Sequence, residues 1–205
     1  MSATLIITGT PRKTYSTAKA EQLTEYFQTQ STIMDQNPIM NAIVDWGNTN
    51  GAKLEGAYQL KGGWEGWTQV ELALVLKRLF ESSNPGSTVE VTREDPVYGG
   101  GTQRSDLLIT TRKGAQHFTN MIELKCEGIA NAPAFTGQVN GDCNKVNNGA
   151  INAAYLPCKA WVIAFSVTKN LGALQVGGKN LAQYSKKVQA GGTQMTLYWG
   201  TKDFQ

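Results

Sequence analysis

The segment RSDLLITT (residues 104–111), followed after a short polar stretch by MIELKC (residues 121–126), decides the fold of this chain. Both segments have the length and apolar content of β-strands, and the stretch between them holds a glycine suited to a turn. We therefore predict a β-hairpin whose side chains alternate between two faces. One face of the second strand is apolar, whereas the other carries Glu123 and Lys125.

A third charged residue, Asp106, opens the first of these strands, and the hairpin returns Glu123 to the same end. Two carboxylates and a lysine at one sheet edge suit a hard divalent cation and an attacking water. A Glu-x-Lys pair alone also occurs on solvated strand faces. The prediction of a catalytic site at Asp106, Glu123 and Lys125 therefore depends on Asp106 and on the order of the surrounding elements.

Composition bounds the possible functions. A chain of 205 residues with 40% apolar residues is long enough for one domain, and its net charge of +3 permits nucleic acid binding without requiring it. No apolar run is long enough to span a bilayer, and the first residues lack the pattern of a secretion signal. We therefore expect an intracellular protein, cytoplasmic or in the nucleoid or nucleus.

The cysteine and histidine content narrows the chemistry further. The 3 cysteines show no Cys-x-x-Cys spacing, which predicts no zinc site and a reducing compartment. His117 is the only histidine, so a mechanism that needs two histidines is excluded. Its place in the predicted turn favours a solvated side chain.

Residues 1–61 are predicted to form an N-terminal extension that packs on a core domain of residues 62–205. Within the extension, residues 5–8 fit a short strand, residues 18–30 fit a capped helix, and residues 34–46 fit another helical piece.

The most apolar helix is predicted over residues 68–82 and is expected to be buried nearly all round. Glu71 lies inside it, and a buried carboxylate needs a cation or hydrogen-bond donors. Two interpretations stay open, and they are compatible. Glu71 would close a capping box with Thr68, or it would complete the acidic cluster of the sheet.

A strand is predicted next, over residues 87–93, followed by a loop with three glycines that lacks the Gly-Lys-Ser/Thr of a nucleotide-binding loop. Arg104 ends this loop two residues before Asp106. It is either a solvated charge or a contact to a phosphate, and its position favours the phosphate.

After the hairpin, a helix is predicted over residues 136–155, with Gln138, Asp142 and Lys145 on one polar face. Such a face is usually solvated; if it borders the site, Gln138 would orient a water or a phosphate. A buried strand (161–167), a helix (180–190) and a last strand (194–199) complete the prediction.

This order of elements, with an acid in the first helix, Asp106 opening the second strand and Glu-x-Lys in the third, resembles the PD-(D/E)xK nuclease superfamily with its restriction-endonuclease-like fold. The resemblance covers about residues 62–200. Asp106 matches the Asp of the motif, Glu123 its second acid and Lys125 its lysine. Glu71 matches the helical acid, and Gln138 loosely matches a polar residue on the following helix. The sequence departs from the motif at Ser105, where the family name has proline.

The resemblance implies a mixed α/β protein with a central mixed sheet flanked by helices, and a Mg²⁺- or Mn²⁺-dependent endonuclease acting on DNA or RNA, with DNA favoured. Asp106, Glu123 and the Leu124 carbonyl would hold the ion, and Glu71 would hold a second ion or tune the first. Lys125 would position the water. Double-strand cutting would suit a homodimer. Two alternatives stay open: a catalytically silent nucleic-acid- or protein-binding module on the same fold, and an unrelated protein with surface charges.

Overall fold

The computed structural model describes residues 37–183 and 188–205, and residues Pro38–Gln205 form one compact unit. The strand predicted over residues 5–8 and the helix predicted over residues 18–30 lie outside the described residues.

Three helices precede the sheet. They are α1 (Pro38–Thr49), α2 (Gly51–Gln59) and α3 (Glu65–Ser83). Helix α1 begins at a proline, whose fixed φ suits the first helical turn. It confirms the helical piece expected there and extends it through a segment expected to turn.

Helix α3 differs from its prediction in two ways. It begins at Glu65, three residues early, and its Thr68 hydroxyl donates to the Trp64 carbonyl, so the capping box expected between Thr68 and Glu71 is wrong. It is also only half-buried, because Val70 and Leu74 are 42% and 53% exposed. No helix in the described ranges is long and apolar enough to cross a membrane.

The main sheet is mixed, as expected, and confirms the mixed α/β class. Strands β1, β2 and β3 pair antiparallel, β3 and β4 pair parallel, and β4 and β9 pair antiparallel. The crossover from β3 to β4 contains helix α4 (Phe135–Asn148). The strands are β1 (Thr88–Asp95), β2 (Ser105–Lys113), β3 (Gln116–Cys126), β4 (Cys158–Ser166), β5 (Gln175–Val176), β6 (Lys179–Asn180), β7 (Ala182–Gln183), β8 (Val188–Ala190) and β9 (Thr193–Phe204).

Strands β2 and β3 form the predicted hairpin, with a tighter turn than expected. Gly114 takes a φ of 60° there, a conformation that suits glycine. Leu107 pairs with Ile122, and therefore Asp106 and Glu123 are the next residues along the two strands.

The two faces of the sheet are covered by different helices. Leu107 and Leu124 belong to a core shared with α1, α2 and α3, whereas Leu108 and Met121 belong to a core shared with α4. Because side chains alternate along a strand, Asp106, Glu123 and Lys125 lie on the α4 face of the sheet.

Two predicted helices need correction. Helix α4 ends at Asn148, and not at residue 155, because Gly149 turns to an extended conformation; a 3₁₀ turn follows at Ala153–Tyr155. The helix predicted over residues 180–190 is wrong, since the described residues there form parts of β6, β7 and β8. Two of these strands pair with β9, so pairing at the sheet outweighs helix propensity.

Candidate functional site

Asp106 is held in one orientation by two hydrogen bonds. Its Oδ1 accepts from Gln69 Nε2 at 2.9 Å, and its Oδ2 accepts from the backbone N–H of Leu124 at 2.6 Å. Gln69 is buried and accepts in turn from Arg93 Nη2 at 2.6 Å. The carboxylate at the start of β2 is therefore tied to both α3 and β3.

Glu123 is the most buried acid of the cluster, at 2% exposure. Its Oε1 accepts from the Tyr98 hydroxyl at 2.7 Å, and its Oε2 accepts from Lys145 Nζ at 3.0 Å. Burial raises the pKa of Glu123 to about 7, although Tyr98 and Lys145 both act to lower it. The site thus holds a carboxylate that changes charge near neutral pH.

Lys125 lies at the centre of an acidic ring. Its Nζ is 3.0 Å from Glu65 Oε1, 3.4 Å from Asp142 Oδ2 and 4.0 Å from Asp106 Oδ2. It also donates to the Leu124 carbonyl at 3.1 Å. Burial alone would lower the pKa of Lys125, but the surrounding carboxylates raise it above its usual value, so the ammonium stays charged.

The cluster carries an excess of negative charge. Burial raises the pKa of Glu65 and of Asp142, with Lys125 opposing the shift in each case. When ionised, four carboxylates face two ammonium groups, an excess of two negative charges in a partly buried place. The four acids are Asp106, Glu123, Glu65 and Asp142.

The structure brings together Asp106, Glu123, Lys125 and the Leu124 carbonyl, as the sequence predicts, but it does not bring Glu71 to them. The Glu71 carboxylate accepts from Trp46 Nε1 at 3.3 Å, on the side of α3 that packs against α1. Six residues along a helix correspond to about 9 Å and to a rotation of about 240°, so Glu65 and Glu71 lie on different faces. The α3 acid that reaches the cluster is Glu65.

The two predicted substrate-binding residues lie at the edge of the cluster. Arg104 is exposed; its Nη1 donates to the Glu94 carbonyl at 2.8 Å, and its own carbonyl accepts from Lys145 Nζ. Gln138 is exposed on α4, one turn before Asp142. The polar face of α4 is thus not simply solvated, because Asp142 and Lys145 on that face form ion pairs within the cluster.

Sequence reasoning missed five residues of the cluster. The spacing of Asp142 and Lys145 placed them on one helix face, but nothing local showed that this face borders β3. Glu65 was missed because the helix was predicted to start too late, and Tyr98 lies in the loop with three glycines, whose path the sequence does not predict. The five residues are Glu65, Gln69, Tyr98, Asp142 and Lys145.

The oxygen atoms of the cluster suit a hard divalent cation as ligands. Carboxylate oxygens and a backbone carbonyl are the ligands that Mg²⁺ prefers, and the excess negative charge favours a cation there. Across residues 37–183 and 188–205, no three His, Cys, Asp or Glu side chains are already grouped as a metal site. Two of the oxygens that an ion would use accept hydrogen bonds from lysines in this structure. Lys145 donates to Glu123 Oε2, and Lys125 donates to the Leu124 carbonyl.

Comparison of this chain with known proteins finds no family model, no curated protein and no solved structure that matches it.

Proposed function

We propose that this protein is a metal-dependent nuclease that hydrolyses phosphodiester bonds of DNA or RNA. The observation that carries the proposal is the convergence of Asp106, Glu123 and Lys125 at one end of the β2–β3 pair, with Lys125 Nζ 4.0 Å from Asp106 and 3.1 Å from the Leu124 carbonyl. The two acids suit binding of a divalent ion, and a lysine beside them can stabilise the negative charge that grows on a phosphate.

The arrangement of the strands supports the resemblance to a restriction-endonuclease-like core. Helix α3 is followed by the antiparallel strands β1, β2 and β3, then by α4 and the parallel strand β4. The cluster lies where β3 ends and β2 begins. Ligand sites of sheets with parallel strands commonly lie at the carboxyl ends of those strands.

Asp106, Glu123 and the Leu124 carbonyl are the groups that would hold Mg²⁺ or Mn²⁺. A bound ion of this kind polarises a phosphate and lowers the pKa of water. Asp106 is suited to this role because Gln69 and the Leu124 N–H fix its orientation. Glu65 replaces Glu71 as the helical acid of the proposal, since it reaches Lys125.

Lys125 acts as an electrostatic group in this proposal, and not as a general base. Its raised pKa keeps it protonated at neutral pH, so it has no lone pair with which to take a proton from water. A fixed ammonium instead orients a water and stabilises the negative charge that grows on the phosphate.

Arg104 and Gln138 are assigned to substrate binding. Both are exposed, Arg104 directly before β2 and Gln138 on α4, one turn before Asp142. A guanidinium that already donates to a backbone carbonyl retains further N–H groups for a phosphate.

One observation favours the alternative of a binding module without catalysis. Both oxygens of Glu123 already have protein donors, and Lys125 already has carboxylate partners, so neither side chain needs an ion to satisfy its hydrogen bonds or ion pairs. A protein that binds nucleic acid without metal and never cleaves it would fit this alternative.

A cleavage assay separates the two functions. Single- and double-stranded DNA and RNA are incubated with Mg²⁺, Mn²⁺ or a chelator, using the wild type, Glu123→Gln, Lys125→Met and the control Lys159→Met. We expect cleavage only with metal, none by Glu123→Gln, a loss of about 100-fold or more in Lys125→Met, and full activity in Lys159→Met. Cleavage that survives the chelator or Glu123→Gln would refute the proposal, and metal-independent binding without cleavage would support the binding module.

A further inference from the structure

We propose that Lys145 is an internal counter-ion of Glu123, which holds this carboxylate in the metal-free protein and is displaced when a divalent cation binds. The inference rests on the proposed function, because it concerns the same carboxylate. It assigns to helix α4 a role in controlling when the site is loaded.

Glu123 is buried and needs a positively charged partner when it is ionised. A carboxylate at 2% exposure cannot stay ionised without a partner, because an unpaired buried charge is very costly. Lys145, from the last turn of α4, provides that partner at 3.0 Å from Oε2. The Tyr98 hydroxyl supplies a hydrogen bond at Oε1 but no positive charge.

The ammonium of Lys145 has two further partners besides Glu123. Its Nζ donates to the Arg104 carbonyl and lies 4.8 Å from the centre of the Tyr98 ring, over which an ammonium is attracted. Its side chain is 19% exposed, so part of it remains hydrated. When the ammonium moves away from Glu123, the Arg104 carbonyl and the Tyr98 ring remain as partners that stabilise it.

The two lysines of the cluster differ in how firmly they are held. Lys125 has three carboxylates within 4.0 Å, whereas Lys145 forms an ion pair with Glu123 alone among the residues that the structure describes. An incoming cation that competes for Glu123 consequently displaces Lys145 first, whereas Lys125 keeps its ion pairs with Glu65 and Asp142.

Removal of the Lys145 charge should then strengthen metal binding. Repulsion between an ammonium and a divalent ion a few ångströms apart in a partly buried site is large relative to thermal energy. We expect Lys145→Met to bind Mn²⁺ about tenfold more tightly than the wild type, measured by electron paramagnetic resonance at pH 8 without nucleic acid. Lys145→Arg keeps the charge and should stay close to the wild type.

Lys159 offers a matched control, since it is a lysine of the same sheet that pairs with Asp203 at 3.3 Å and lies 5.8 Å from the centre of the Trp161 ring. Lys159→Met should leave Mn²⁺ binding unchanged. A second readout is thermal stability: in a chelator Lys145→Met should melt below the wild type, and Mn²⁺ should raise its melting temperature by more than it raises that of the wild type.

The outcomes separate this inference from the proposed function. If the wild type binds Mn²⁺ through Glu123 but Lys145→Met binds it equally or more weakly, the displacement is wrong and the nuclease proposal stands. If neither protein binds Mn²⁺, or if Glu123→Gln binds as well as the wild type, both fail.

Discussion

Gln69 links Asp106 to the rest of the fold, because it donates to the carboxylate at 2.9 Å and is itself held by Arg93. It touches no reacting atom in the proposed mechanism and is a positioning residue. Groups that orient metal ligands in this way typically affect metal affinity or activity by about 10- to 100-fold.

Gln69→Leu should therefore weaken Mn²⁺ binding and slow cleavage by about 10- to 100-fold, while the protein stays folded. Titration of Mn²⁺ beside circular dichroism spectra checks both parts of this expectation. The exposed Gln59→Leu serves as the control. Unchanged metal affinity in Gln69→Leu would show that Asp106 does not depend on this hydrogen bond.

The raised pKa of Glu123 gives the stability a definite dependence on pH. The folded protein binds this proton more tightly than the unfolded chain does, so the contribution is favourable below the usual carboxyl pKa and is lost as pH rises to about 7. A tenfold difference in proton affinity between the folded and unfolded states corresponds to about 1.4 kcal/mol of unfolding free energy.

In a chelator, the stability of the wild type relative to Glu123→Gln should thus fall between pH 4.5 and pH 7.5. Urea unfolding of both proteins across this range measures the difference. Added Mn²⁺ at pH 7.5 should restore the wild type and leave Glu123→Gln unaffected. A difference that is constant with pH would contradict the account of this carboxylate.

At the level of single residues, the sequence was sufficient to predict that Asp106, Glu123 and Lys125 lie close together, because all three are on one hairpin with a fixed alternation of side chains. It was insufficient for Glu65, Asp142 and Tyr98, which reach the cluster from other elements. Their positions depend on how helices pack on the sheet, and no local pattern records that.

The ends of β3 and β4 are joined by a buried carboxylate, Glu127, which follows β3 directly. Its oxygens accept from the Ser166 hydroxyl at 2.7 Å, from the backbone N–H groups of Val167 and Thr168 at 2.7 and 2.9 Å, and from the Thr168 hydroxyl. Burial alone would raise the pKa of Glu127, but these hydrogen bonds lower it below its usual value. The strand end that carries Lys125 is fixed in this way.

Glu127→Gln should destabilise the protein by about 2–3 kcal/mol at pH 7, because an amide cannot accept all of these bonds and brings donors of its own. The lowered pKa means that the advantage of the wild type is present above the usual carboxyl pKa and is lost as pH falls below it. Urea unfolding at pH 7 and at pH 3.5 tests this, with the exposed Glu90→Gln as control. An equal difference at both pH values would be evidence against a charged Glu127.

Elements with local signals were predicted best. The hairpin of β2 and β3 follows from two apolar runs around a glycine. The helix prediction for residues 180–190 was wrong because the strands found there depend on partners far away in the sequence. One of them, β8, lies so close to α1 that a Cβ on Gly47 would be 2.7 Å from Val188. Such an approach is a property of the packed molecule and cannot be deduced from helix propensity.

Across the whole molecule, α1 and α2 belong to the main hydrophobic core. Met40, Ile43 and Leu54 are completely buried in the cluster of apolar side chains that includes Leu107 and Leu124 of the sheet. The compact unit accordingly begins at Pro38. The order of elements from α3 to β4 was readable from the sequence, whereas this shared core was not, because it joins segments far apart in the chain.

Ile43→Ala should therefore cost about 2–5 kcal/mol of unfolding free energy, as expected for a large side chain removed from a packed core. Leu60→Ala, at a position 63% exposed, should change it by less than about 0.5 kcal/mol. Denaturant unfolding of the two variants measures both values. Equal, small effects would mean that α1 only decorates the sheet.

In the proposed function, Asp106, Glu123 and the Leu124 carbonyl hold a divalent cation. An anomalous difference map from crystals grown with Mn²⁺ tests it most directly. We expect one peak in contact with the Asp106 and Glu123 carboxylates and the Leu124 carbonyl, with Lys145 moved off Glu123. A map with no peak there, and with Lys145 still paired to Glu123 at saturating Mn²⁺, would contradict the claim.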